Sequence, residues 1–257
     1  MEHYENIIVG TGEIGMPLYE LMSGVYKTLP LDLIHFKDNY KIEANCKFLH
    51  ICIPGTIKDF DNVIIDFVNK YSPVYVFIHS TLVPGTTRRL NEKLKDFLIA
   101  HTPVHGKHHG NRMKSDMLMY PKYIGIPEDT KPYVFEDIEE HFTKMGFREV
   151  RIVLNPDNTE WSKILATTAF GLQVSFAQEV ERICDEFGLD YDEVTHFFPI
   201  QQDVRGAIYP GFIGGHCVMP NVKIIKGMHK SKMLDWMEWS NNRKKKRDSI
   251  KVDNRGR

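Results

Sequence analysis

Apolar positions in the first half of the chain come as short uninterrupted runs. Residues 7–9, 31–36, 48–53 and 74–79 are each short and mostly β-branched, leucine or aromatic, the pattern of buried strands. Between them the spacing changes. Leu18, Leu21 and Met22 within 16–25, and Phe60, Val63, Ile64 and Phe67 within 59–69, recur at helical intervals. Strands alternating with helices predict βαβ units on a parallel sheet. Runs at 97–101, 123–126 and 148–153 are expected to continue it.

After Pro156 the texture becomes helical. Ile164, Leu165, Ala169, Leu172, Phe176, Val180, Ile183 and Cys184 follow one helical face between 160 and 187. A helix that long suits a spine joining two domains or two subunits. A second helix is expected at 190–198, then a glycine-rich loop at 205–217, then a third helix at 222–239. The fold class expected is α/β, a doubly wound parallel sheet over 1–155, followed by an α-helical domain over 156–240 with a long central helix. A basic tail at 241–257, carrying Arg243 to Arg247, is expected to be disordered and solvated.

Composition narrows the class without naming it. The 257 residues are 42% hydrophobic and 26% charged, near the globular average. A formal net charge of -1 argues against a nucleic-acid binder driven by global charge. No apolar run approaches a membrane span, and the N-terminus lacks the pattern of a signal peptide. Four cysteines without CxxC spacing point away from disulfides and zinc ribbons. A reducing, cytoplasmic compartment is expected.

Candidate chemistry begins with GTGEIG at 10–15, directly after the first strand run and at the start of a helix. That context is what a dinucleotide site requires. Gly10 allows the tight turn, Gly12 leaves room for a pyrophosphate, and Gly15 lets helix and strand pack closely. Thr11, Glu13 and Ile14 complete the loop, and the helix N-terminus offers free N–H groups to phosphates. The acid that holds the ribose is sought about 20 residues on; counted from Gly15 this reaches Lys37 and Asp38. Asp38 would favour NAD and Lys37 NADP; the reading favours NAD and leaves NADP open.

Three further segments carry a resemblance. HSTLVPGTT at 79–87, Glu160-Trp161-Ser162-Lys163, and PGFIGGHCVMP at 210–220 resemble, in order, motifs of the UDP-glucose/GDP-mannose (nucleotide-sugar) 6-dehydrogenase family, which includes UDP-N-acetylmannosamine dehydrogenases. The resemblance implies a two-stage oxidation of a primary alcohol to an acid. Cys217 would be the nucleophile, passing through a thiohemiacetal and a thioester. Lys163 would stabilise oxyanion charge or orient a water. Arg205 would anchor substrate, with His216 and the turn at Gly214 and Gly215 beside it. Pro54, Ser80 and Thr81 would line the cofactor. A homodimer through the long helix and a small-molecule, nucleotide-sugar substrate are further implications.

The resemblance departs at three positions. Thr167 stands where the family has Asn, Asn221 where it has Asp, and Val104 where many members have Glu. A neutral Asn221 can position a water but cannot take its proton. His105, His108 or His109 could serve as a base in place of these carboxylates. The family's third, nucleotide-binding domain is also missing, so a truncated member is expected. His105 and Lys107 are candidate substrate contacts. The histidines at 101, 105, 108 and 109 show no zinc spacing, so no metal is expected. Two other readings remain: a single-step β-hydroxyacid-type dehydrogenase or reductase, which Lys163 also fits, and a cofactor-binding sensor or assembly protein without turnover.

Overall fold

The computed structural model describes residues 1–105, 112–196, 212–213 and 218–255. The chain divides into two compact units, Met1–Thr167 and Thr168–Arg257. The first contains seven strands: β1 (Glu2–Val9), β2 (Thr28–Leu31), β3 (Ala44–Ile51), β4 (Tyr75–Ile78), β5 (Leu98–His101), β6 (Lys122–Ile126) and β7 (Val150–Leu154). They form one sheet in the order β2-β1-β3-β4-β5-β6-β7. Strands β1 to β5 run parallel, and β6 turns antiparallel to β5 where His101 faces Gly125. β7 runs parallel to β6.

Alternation along each strand explains why both faces are covered. Ile7 and Val9 join Leu49, Ile51, Val76 and Ile78 in one core, under Ile64 and Val68 of α2 (Phe60–Tyr71) and Leu90 of α3 (Thr86–Lys93). Ile8 points the other way, with Phe48 and Phe77, under Leu18 and Met22 of α1 (Gly15–Ser23) and Ile138 and Phe142 of α5 (Pro132–Lys144). Met113 and Met117 of α4 (Met113–Met119) close that second core. Strand order reverses between β1 and β3, so their carboxyl ends flank the crevice where a doubly wound sheet binds ligands.

β2 ends at Leu31, not near Phe36. The Asp32 carboxylate accepts the N–H groups of Ile34 (2.8 Å) and His35 (3.1 Å). That side-chain turn stops the strand. Lys37 and Asp38 therefore lie on a 3₁₀ turn, Lys37–Lys41, beyond the sheet.

Helix α6 (Pro156–Phe187) begins directly after β7, and its first turns belong to the first unit. In the second unit, Val180 and Cys184 are buried, but Leu172 and Phe176 are exposed, as is Leu165 in the first. Only part of the expected apolar face is therefore covered within one chain. α7 (Tyr191–Thr195) is capped by Asp190, whose carboxylate accepts the Glu193 N–H at 2.9 Å. The single helix expected at 222–239 is two, α8 (Val218–Met228) and α9 (Lys232–Arg255). Ser231 starts the second by accepting the Leu234 N–H. Residues 241–255, expected to be disordered, continue α9, since lysine and arginine are good helix formers.

Candidate cofactor and catalytic site

The turn after β1 is built by crowding. Gly10 has φ +87°, a conformation that disfavours any side chain. A Cβ at Gly15 would lie 1.8 Å from the Gly10 carbonyl oxygen, so α1 starts against the end of β1. A Cβ at Gly12 would meet nothing within 4 Å. Close packing at Gly15 with open space at Gly12 leaves the helix N-terminus accessible, the arrangement a pyrophosphate needs. Thr11 is buried; Gly12 and Glu13 face solvent.

The acid that touches this turn is Asp32. Its carboxylate accepts the Thr11 N–H at 2.9 Å and the two N–H groups of its own turn. Partial burial raises its pKa, but these backbone donors outweigh burial and hold it down to about 2. Asp38 is exposed and pairs with Lys41 at 2.7 Å; Lys37 is exposed. Because β2 ends at Leu31, the count from Gly15 falls on a 3₁₀ turn beyond the sheet. Asp32 lies 22 positions after Gly10, so counting from the first glycine finds it.

Residues 79–87 leave the end of β4 and cross beside this loop. Ser80 donates its hydroxyl to the Ile53 carbonyl. A Cβ at Gly55 would lie 2.3 Å from the Thr81 carbonyl oxygen, so the turn after β3, which also contains the exposed Pro54, packs directly on Thr81. From the other side, α6 reaches three points. Thr159 bonds the His101 ring at 2.8 Å, and the other ring nitrogen meets the Ser80 carbonyl at 3.1 Å. A carbonyl only accepts, so Nε2 carries the proton. Burial lowers the His101 pKa to about 4, which keeps it neutral. Glu160 accepts from Gly85 and Thr87. Lys163 donates to the Val104 carbonyl at 2.8 Å, and burial pulls its pKa down.

Ile14, His79, Ser80, Thr81, Val104, Met113 and Lys163 line one cavity of about 120 Å³. A larger cleft of about 960 Å³ lies among Val74, Phe97, Pro127 and Tyr133. That cleft is at the amino ends of β4 and β5, away from the glycine loop. Behind the small cavity a chain of polar side chains crosses the core. Lys122 donates to the Thr102 carbonyl (3.2 Å) and meets His79 (3.4 Å), His79 meets His50 (3.0 Å), and His50 meets Asn6 (3.2 Å) and His141 (3.1 Å). Burial pushes Lys122 down to about 7 and both His50 and His79 well below 6.5.

Several expected site residues stand elsewhere. Thr167 is exposed, its hydroxyl turned back onto the carbonyls of Lys163 and Ile164. His105 is half-buried between Tyr120 and Tyr123, 6.0 and 6.1 Å between ring centres. Lys107, His108, His109, Arg205, Gly214, Gly215, His216 and Cys217 lie outside the described residues. Asn221 falls on α8. Burial pushes the Cys46 and Cys52 thiols up to about 12, and Cys184 is buried; all three fit small structural hydrophobes. Spacing alone could not reveal the buried partners Thr159, His101 and Lys122, whose contacts are long-range.

Residues 157–244 match the central domain of the UDP-glucose/GDP-mannose dehydrogenase family. A UDP-N-acetyl-D-mannosamine dehydrogenase of Methanococcus vannielii is 23% identical over 260 residues, covering 82% of this chain. The chain spans 58% of that relative's length. The fold is shared with a UDP-D-ManNAc dehydrogenase from Pyrococcus horikoshii, at TM-score 0.65 and 16% identity over 96% of this chain and 70% of the other. It is also shared with the 3-hydroxyisobutyrate dehydrogenase of Mycobacterium tuberculosis, at TM-score 0.60 and 12% identity over 97% and 94%. Among the described residues, no helix is long and apolar enough to cross a membrane.

Proposed function

We propose that the chain is an NAD-dependent dehydrogenase that oxidises a primary alcohol, of the nucleotide-sugar class, to an acid. The observation that carries this reading is convergence. The glycine-loop residue Ile14, the turn residues Ser80 and Thr81, and the family-motif Lys163 face one cavity. The residues fit a dinucleotide: Gly10 to Gly15 for the pyrophosphate, Asp32 for the adenosine ribose, and Pro54, Ser80 and Thr81 along the rest. An ionised Asp32 accepts two hydroxyls and repels a 2′-phosphate, which favours NAD over NADP. The cofactor supplies a hydride acceptor at each oxidation.

Lys163 is proposed to stabilise the oxygen of the reacting carbon, a role supported by its ammonium being held by the Val104 carbonyl. Cys217 is proposed as the nucleophile: its sulfur adds to the aldehyde carbon, hydride loss gives a thioester, and water releases the acid and the thiol. The exposed Leu165, Phe170, Leu172 and Phe176 of α6 support a homodimer. Mixing protein, NAD and a panel of UDP-sugars should give two NADH per acid formed. Cys217→Ser should abolish acid formation, by about 10³-fold or more for a lost nucleophile; an unchanged acid yield removes Cys217 from the mechanism.

A second reading has its own support. None of the described residues lining the cavity is a carboxylate, so a hydrolytic water finds no carboxylate base among them. A single-step hydroxyacid-type oxidation needs no such group, and one NADH per carbonyl product would select it.

A further inference from the structure

We infer that Glu160 is a positioning residue for this site, holding the 81–87 turn against α6 so that Thr81 and Lys163 face one cavity; this rests on the dinucleotide reading above. Helix α3 begins at a turn that cannot cap itself. Its N-cap is Gly85, at φ +91°, and no side chain of its own caps the helix. The first N–H groups of a helix need acceptors. Glu160 supplies them from 75 positions away. One carboxylate oxygen accepts the Gly85 N–H at 2.6 Å. The other accepts both the Thr87 N–H, at 2.8 Å, and the Thr87 hydroxyl, at 2.6 Å.

Glu160 is fully buried, and no lysine, arginine or histidine lies within ion-pair distance among the described residues. A buried carboxylate without a cation is compensated here by three donors and by the positive end of α3. The rest of α6's start is equally fixed. A Cβ at Gly125 would lie 2.3 Å from the Thr159 hydroxyl oxygen, so the helix is seated directly on β6. Glu160 and Lys163 are three residues apart and share a helix face. The carboxylate therefore ties the turn to a rigid helix, one turn from the lysine that enters the cavity. Only an acceptor-only group serves, since a side-chain amide places an N–H against the donors of Gly85 or Thr87.

The test uses the full chain with Glu160→Gln, and with Thr87→Val as a milder variant that removes the hydroxyl donor alone. NADH affinity is read by fluorescence titration, well below each variant's melting temperature. Dissociation constants about tenfold higher in E160Q, and two- to threefold higher in T87V, are expected. Hydrogen exchange at the Gly85 and Thr87 amides should also accelerate in E160Q. Lower melting temperatures with unchanged dissociation constants in both folded variants would overturn the role of Glu160. If the wild-type protein binds no NADH, the dinucleotide reading falls, and this inference falls with it.

Discussion

Lys122 lies in the core with no carboxylate partner within ion-pair distance among the described residues. Burial drops its pKa from 10.5 to about 7. A base whose folded pKa is depressed weakens the fold wherever the unfolded chain holds the proton more tightly. The penalty is full below pH 7, shrinks between 7 and 10.5, and vanishes above. At pH 7 it is on the order of 4 kcal/mol, partly offset by the bonds to Thr102 and His79. Lys122→Met should therefore be more stable than wild type at pH 7, by about 2 kcal/mol once the lost hydrogen bonds are counted, and the gap should narrow by pH 9.5. Urea unfolding at both pH values measures this. A variant that is weaker at pH 7, or a gap independent of pH, would contradict the account.

At the scale of elements, the glycines of the first turn separate a folding role from a binding role. Gly15→Ala puts a methyl group 1.8 Å from the Gly10 carbonyl, and α1 must move off β1. A loss of several kcal/mol is expected from such overpacking. Gly12→Ala meets no neighbour and should change stability by less than about 0.5 kcal/mol, yet obstruct the pyrophosphate and weaken NADH binding. Parallel melting and titration of both variants check this; a G12A protein that binds NADH normally would remove Gly12 from the site. These elements were legible in sequence because their signals are local: strand runs, helical spacing, glycines at fixed offsets. The end of β2 was not, because a single side-chain turn at Asp32 stopped a run that reads apolar to Phe36. The break between α8 and α9 was hidden likewise, since one serine cap interrupts an otherwise continuous helical pattern. The motif gave Glu160 and Lys163 as a pair without showing what Glu160 touches, because its partners lie 73 and 75 positions away.

The two units should answer acid in opposite ways. His50, His79, His101 and His141 are buried in the first unit and held neutral. Burial sets His101 near 4 and His141 near 3, so the unfolded chain binds their protons first. Their contribution is intact above pH 6.5 and is lost as pH falls toward 4, at about 2 kcal/mol for each of these two by pH 5. In the second unit His229 bonds Glu186 and, at 3.1 Å, Glu179, and its pKa is raised, chiefly by the Glu186 bond. That contribution is present below 6.5 and is lost as pH rises through the folded value. Moving from pH 7.5 to 5 should therefore weaken the first unit while strengthening the contact around His229. Native-state hydrogen exchange separates the two, with protection expected to fall for amides of β3 and β4 and to hold for those near Glu179 and Glu186. Unchanged protection of β3 and β4 at pH 5 would mean that the buried imidazoles titrate near their ordinary value and that the polar chain behind the cavity is open to water.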